Sequence, residues 1–231
     1  MSFKFKQFSI IDENTPMKVG IDAVLLGSWV DVSDDINILD VGSGSGIIAL
    51  MLAQRFPNSK FTAIELNTSS FIDLNKNINN SPWKNRISAI NVDFTKWESN
   101  SKYELIISNP PFFDVSNKMN DGRRLARQVS SLDPIQLCRM SSKLINQDSY
   151  FVAIFPFQQR GEFIKAALLN GFYIFKELKI RDNASSGFKR SILCFKNSKV
   201  LFFEQKELIL KRDDGSFSNE FIELTKHFYL S

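Results

Sequence analysis

Ile36-Asn37-Ile38-Leu39-Asp40-Val41-Gly42-Ser43-Gly44-Ser45-Gly46 decides how this chain folds. Its first six residues read as a buried β-strand, and Ile47 to Phe56 carries apolar side chains at helical spacing. A glycine-rich turn between strand and helix is where open α/β sheets bind nucleotides, outside the carboxyl ends of their strands. Outward from it the alternation continues. Phe61 to Glu65 is predicted as a second strand, Ser69 to Asn79 as a helix and Ile87 to Val92 as a third strand. Strand-helix-strand repetition calls for a parallel sheet with right-handed crossovers.

Tyr103 to Ser108 reads as the next strand, and it stops at Asn109-Pro110-Pro111, where two prolines forbid a central strand from continuing. A helix over about Pro134 to Leu144, a strand over Tyr150 to Phe155 and a helix over Gln158 to Leu169 follow. After Gly171 the pattern changes. Phe172 to Ile180, Arg190 to Phe195 and Val200 to Leu208 read as successive strands joined by short polar turns, so an antiparallel end to the sheet is expected. A last helix is predicted over Asn219 to Phe228. The fold expected is α/β and Rossmann-like, mostly parallel with an antiparallel C-terminal end and helices on both faces. It forms one domain, with residues 1–35 an extension covering the site and 36–231 the catalytic core.

With 231 residues and 43% hydrophobic content, the chain is long enough for one substantial core, into which most of its 22 Phe should pack. The 29 Lys and Arg against 25 Asp and Glu make a mild excess, too small to mark a nucleic-acid protein by itself. Its distribution is more telling: between Lys118 and Lys143 stand Lys118, Arg123, Arg124, Arg127, Arg139 and Lys143, against Asp121 and Asp133. Cys138, Cys194 and the one histidine, His227, suggest neither a disulfide nor a metal site. No signal-peptide or membrane-span run occurs, so a cytoplasmic protein, without metal and acting as a monomer, is expected.

A dinucleotide fold would space its glycines G-x-G-x-x-G, whereas Gly42, Gly44 and Gly46 alternate. Asp-x-Gly-x-Gly-x-Gly resembles the cofactor loop of class I methyltransferases, which implies S-adenosylmethionine as cofactor. Asp40 would balance its ammonium group. Glu65, ending the second strand, has two oxygens with which to accept the ribose hydroxyls of an adenosine. By the same resemblance Asp93 would accept from the adenine amino group, with Phe94 near the ring.

Asn109-Pro110-Pro111-Phe112 meets a distinct chemical need. An exocyclic amine on a purine is a poor nucleophile because its lone pair is delocalised into the ring. If the Asn109 side-chain oxygen and the Pro110 carbonyl accept its two N–H bonds, the lone pair is oriented and positive charge developing on nitrogen is stabilised. Phe112 would stack on the planar target. No strong base is needed before the transfer, so His227 has no assigned role.

The run Met17-Lys18-Val19-Gly20-Ile21-Asp22-Ala23-Val24-Leu25-Leu26-Gly27 precedes the first strand. With Asn109 to Phe113, Arg123 to Arg127 and the C-terminal Phe228-Tyr229-Leu230, it resembles the bacterial valine-tRNA adenine-N6-methyltransferase family over most of the chain. That resemblance implies methyl transfer to N6 of the adenine 3′ of the anticodon. It implies Lys18, Gly20 and Asp22 along the cofactor or target pocket, and Arg123, Arg124 and Arg127 beside the substrate's entrance, where guanidinium groups suit phosphates. Lys189 and Arg190 would add a second phosphate contact. Asn-Pro-Pro-aromatic loops also serve release-factor glutamine, ribosomal guanine N2 and DNA adenine, and a non-catalytic RNA-binding module is the reading from another class.

Overall fold

The computed structural model describes residues 2–110 and 132–230. Ten strands and six helices are found among them. The first two strands, β1 (Ser2–Lys4) and β2 (Ser9–Ile11), form an antiparallel hairpin that the sequence reading did not anticipate. Helix α1 (Ile21–Trp29) follows, and Ala23 to Ser28 are all buried.

The sheet then begins with β3 (Asn37–Val41), α2 (Ile47–Arg55), β4 (Lys60–Glu65), α3 (Thr68–Asn79), β5 (Ile87–Asn91) and β6 (Tyr103–Ser108). After the undescribed stretch come α4 (Pro134–Leu144), β7 (Ile145–Pro156), α5 (Arg160–Leu169), β8 (Tyr173–Arg181), β9 (Phe188–Lys196), β10 (Glu204–Ile209) and α6 (Asn219–Thr225). Eight of the strands make one sheet in the order β10-β8-β9-β7-β6-β3-β4-β5. Strands β7, β6, β3, β4 and β5 are mutually parallel. They are apolar because a parallel sheet is covered on both faces. One face packs on α1 and α2 through Ile38, Leu105, Ile107 and Val152; the other packs on α4 and α5 through Leu39, Ile106, Phe151 and Phe155.

The antiparallel end exists, but only partly as expected. Strand β9 lies antiparallel to β7 on one side and β8 on the other, whereas the last strand, β10, runs parallel to β8. The reason is connectivity. Both edges of β9 are already paired, so the chain leaving it cannot hairpin back. It turns at the amino end of the sheet and runs up the open edge of β8. That edge strand exposes Glu204, Gln205, Lys206 and Glu207 in sequence, a charged rim that blunts further strand addition.

Polar groups buried off the sheet hold the outer pieces in place. Asp73 on α3 accepts from the backbone N–H and side-chain amide of Asn14, both 2.8 Å, and from the N–H (2.8 Å) and hydroxyl (2.9 Å) of Thr15. One turn on, Asn77 accepts from Ile11 N–H at 2.8 Å and donates to the Ile11 carbonyl at 2.7 Å and the Ser45 carbonyl at 2.9 Å. Asn77 thereby ties the N-terminal segment to the glycine turn.

Tightness at that turn yields a prediction. Gly46 has φ +86°, and a Cβ there would stand 2.6 Å from Cδ1 of Leu74, which is fully buried. Gly46→Ala should lower the unfolding free energy by about 1–3 kcal/mol, measured by urea titration. Gly161→Ala, where a Cβ meets nothing within 4 Å, should be close to neutral in the same assay.

Candidate active site

Strand register collects the candidate residues. Val41 pairs with Ser108 of β6 and with Ile64 of β4, while Glu65 pairs with Asn91 of β5. Adjacent strands are about 4.8 Å apart. Asn109, Gly42, Glu65 and Asp93 therefore follow one another along the carboxyl edge of four neighbouring parallel strands. Chain order reverses between β3 and β6, and this switch point opens the crevice where α/β folds bind ligands. Beneath it the Ser108 hydroxyl donates to the Val41 carbonyl at 2.8 Å in a buried contact.

Gly42, Gly44 and Gly46 all lie at positive φ, +72°, +55° and +86°, which accounts for their alternation. Ser43 and Gly42 N–H both donate to the Ile64 carbonyl at 2.9 Å, and Gly46 N–H donates to the Ser43 carbonyl at 2.8 Å. The turn is thus preformed. Thr15 lies over it, since its methyl would stand 3.8 Å from a Cβ on Gly44.

Asp40 is 1% exposed, and among the described residues neither carboxyl oxygen has a hydrogen-bond partner. Burial pushes its pKa up to about 7; the nearby Ser43 side chain and Ala49 amide pull it down without closing a hydrogen bond, and the charge of Glu65 adds to the rise. A buried carboxyl without a partner among the described residues has the chemistry to accept a cationic group. Glu65, by contrast, is oriented: its Oε2 accepts from Gly44 N–H at 2.8 Å and its Oε1 from Asn67 N–H at 2.7 Å. Each oxygen keeps a further lone pair for a hydroxyl. Asp93 caps the short 3₁₀ turn Phe94–Lys96, accepting from Thr95 N–H (2.9 Å) and hydroxyl (2.7 Å), which holds its pKa down. Phe94 is buried in the core beside it.

Asn109 leaves β6 with its Oδ1 shut off from solvent and without a hydrogen-bond partner among the described residues. Pro110 is buried. Pro111, Phe112, Arg123, Arg124 and Arg127 lie outside the described residues.

Other predicted residues turn out to be engaged elsewhere. Lys18 is exposed and its ammonium donates to the Asp12 carbonyl, closing a loop with the Asp12 carboxylate, which accepts from Val19 N–H at 3.0 Å. Gly20 is exposed as the residue before α1. Asp22, in the first turn of α1, forms an ion pair with Arg190, which also faces Asp182 at 3.6 Å. Burial raises the Asp22 pKa and Arg190 opposes that rise. Lys189 is exposed. The sequence reading placed Asp22 and Arg190 in different parts of the site, and it missed Asp73 and Asn77 altogether. No local signal marked them, because the same helix also carries Ser69, Ser70, Asn75, Lys76 and Asn79.

Among the described residues, no helix is long and apolar enough to cross a membrane and no group of three His, Cys, Asp or Glu could hold a metal ion. Cys138 and Cys194 are buried, and burial pushes both thiols up to about 12.

A glycine turn, an acidic strand end and an Asn-Pro loop at one switch point define a methyltransferase, and residues 17–129 match the family model "Methyltransferase small domain". Fold agrees: a predicted O-methyltransferase from Agrobacterium tumefaciens superposes with TM-score 0.71 at 19% identity, covering 89% of this chain and 96% of that one. A glycopeptide N-methyltransferase solved with (S)-adenosyl-L-methionine gives 0.55 at 10% identity, over 76% and 94%. The chain belongs to the tRNA1(Val) (adenine(37)-N6)-methyltransferase family. It is 36% identical to the member from Flavobacterium johnsoniae, covering 99% of both chains, and 37% identical to that from Photorhabdus laumondii, covering 99% and 95%.

Asp40 gives a pH prediction for the ligand-free protein. Its folded pKa of about 7 lies above the unfolded carboxyl value, so the folded state holds the proton more tightly and stability falls as pH rises between the two. From pH 5 to 7.5 the wild type should therefore lose, relative to Asp40→Asn, on the order of a few kcal/mol, fully lost above the folded value. Parallel denaturation of both proteins at each pH measures the difference.

Proposed function

We propose that this chain methylates the exocyclic N6 of an adenine in the anticodon loop of tRNA, adenine 37 of a valine tRNA, using S-adenosylmethionine. The observation that carries the reading is a pair of buried acceptors without partners among the described residues, at the ends of adjacent strands: the Asp40 carboxylate and Asn109 Oδ1. One is suited to a cation and the other to an N–H donor. The names of the relatives support the acceptor base and the tRNA.

In this reading Asp40 takes the ammonium of the cofactor, glycine-turn amides approach its amino-acid end, Glu65 takes the ribose hydroxyls, and Asp93 with Phe94 lies at the adenine. S-adenosylmethionine, when bound, supplies an electrophilic methyl group on a positively charged sulfur. Asn109 Oδ1 and the Pro110 carbonyl each accept one N–H of the target amine. That leaves the nitrogen lone pair directed at the crevice and stabilises charge as it grows on nitrogen. Proline fixes φ at position 110, so its carbonyl is held without a cost at the moment of reaction. Asp73 holds Asn14 and Thr15, and Asn77 holds Ile11, so that Thr15 lies against the glycine turn. Lys189 serves an RNA phosphate more readily than Arg190, whose guanidinium is spent on Asp22.

Asn109→Ala should remove at least about 3 kcal/mol of transition-state stabilisation, roughly a hundredfold or more in kcat, while cofactor binding changes by less than about threefold. Methyl incorporation into purified tRNA and calorimetric cofactor titration check the two halves. Normal incorporation by the variant would refute the assignment.

A further inference from the structure

We propose that a basic groove running down α4, away from the reaction centre, is the track for the phosphate backbone of the RNA stem next to the target loop. The inference rests on the tRNA reading given above, and adds a surface that neither the glycine turn nor the Asn-Pro loop requires.

The groove is an open cleft of about 330 Å³ between residues 95–99 and the outer face of α4, lined by Lys96, Trp97, Glu98, Arg139 and Lys143, over Met140 and Leu144. Arg139 and Lys143 are four residues apart, on one face of the helix, and both are exposed. Among the described residues neither has an ion-pair partner, whereas Lys96 faces Asp93 at 3.7 Å. Lys102 adds a fourth cation at the lower end, its ammonium donating to the Lys143 carbonyl. Glu98 is the one acid of the lining among the described residues. A solvated helix face would more commonly offset such cations with acids at i±4; here the i±4 positions within the helix are Ile135 and Lys143 for Arg139, and Arg139 for Lys143, with no acid among them.

Direction follows from topology. Helix α4 carries the chain back from the carboxyl edge to the amino end of β7, so Pro134 lies near the reaction edge and Leu144 far from it. At about 1.5 Å per residue, Arg139 stands roughly 7 Å and Lys143 roughly 13 Å below the helix start. The upper end of the groove begins at Lys96, three residues past Asp93. The cations therefore descend in a line from the site. Such a line fits a polyanion that continues past the target base rather than a single anion. Exposed Lys and Arg contact phosphates without regard to sequence, which positions a stem while the crevice reads the base.

The test is the double charge reversal Arg139→Glu/Lys143→Glu in the full chain, with tRNA methylation, cofactor titration and direct binding of an anticodon stem-loop RNA measured against salt. The expected result is a rise in KM for tRNA of about tenfold, a stem-loop Kd whose salt slope falls by about two, and unchanged kcat and cofactor Kd. An unaltered KM and salt slope would overturn the groove even though the wild type methylates tRNA. A wild type that binds stem-loop RNA but methylates none would instead sink the acceptor proposed above, and the salt slope of the variant would still decide the groove. A wild type with no affinity for RNA would overturn both.

Discussion

Register between β3 and β6, Val41 opposite Ser108 in the middle of the parallel sheet, is the constraint on which the site depends. Chain order reverses there, and such a switch point is where open α/β sheets form their ligand crevice. Asp40 lies one residue below the paired level and Asn109 one residue above it. Shifting either strand by one residue would turn Asp40 and Asn109 to opposite faces. The buried Ser108 hydroxyl on the Val41 carbonyl locks that level in place.

Among the described residues Ser28, Gln54, Ser141 and Arg181 also have a buried polar atom without a partner, but Asp40 is the one buried acid left so, and the other buried acids show the contrast. Asp73 has four donors, and Glu177 is held by Arg160, by Ser191 at 2.8 Å and by Gln205 at 2.7 Å; these contacts drive both acids' pKa down, as expected for carboxylates kept charged for structure. Asp40 and Asn109 Oδ1 have no partner among the described residues, and a buried acceptor left unpaired costs about 1–3 kcal/mol or more. A site that carries such a cost regains it when ligands supply the missing charge and donors. The glycine turn beside Asp40 is stiffened by its own hydrogen bonds, and Thr15 lies against it.

Much of this was legible in the sequence because it depends on short-range order. The run from Ile36 to Gly46 announces strand, turn and helix in eleven residues, and Glu65 and Asn109 could be placed because each terminates a strand with unmistakable apolar content. What sequence reasoning could not supply was partner choice across the chain. That Asp22 meets Arg190, 168 residues away, and that Asn77 joins Ile11 to Ser45, follows from tertiary packing with no local pattern. The β1–β2 hairpin was invisible because three-residue strands are too short for periodicity to register. Strand β10 was expected antiparallel because hairpins are the default for neighbouring strands, and the occupied edges of β9 overrode that default.

Methyl transfer to the N6 of one adenine in a tRNA would leave a chemical trace in the cell. Mass spectrometry of nucleosides from individual tRNAs, purified from cells with and without the gene, tests it most directly. Without the gene, N6-methyladenosine should disappear from a valine tRNA alone, and it should return when the intact gene is restored. An unchanged nucleoside profile in that tRNA would contradict it.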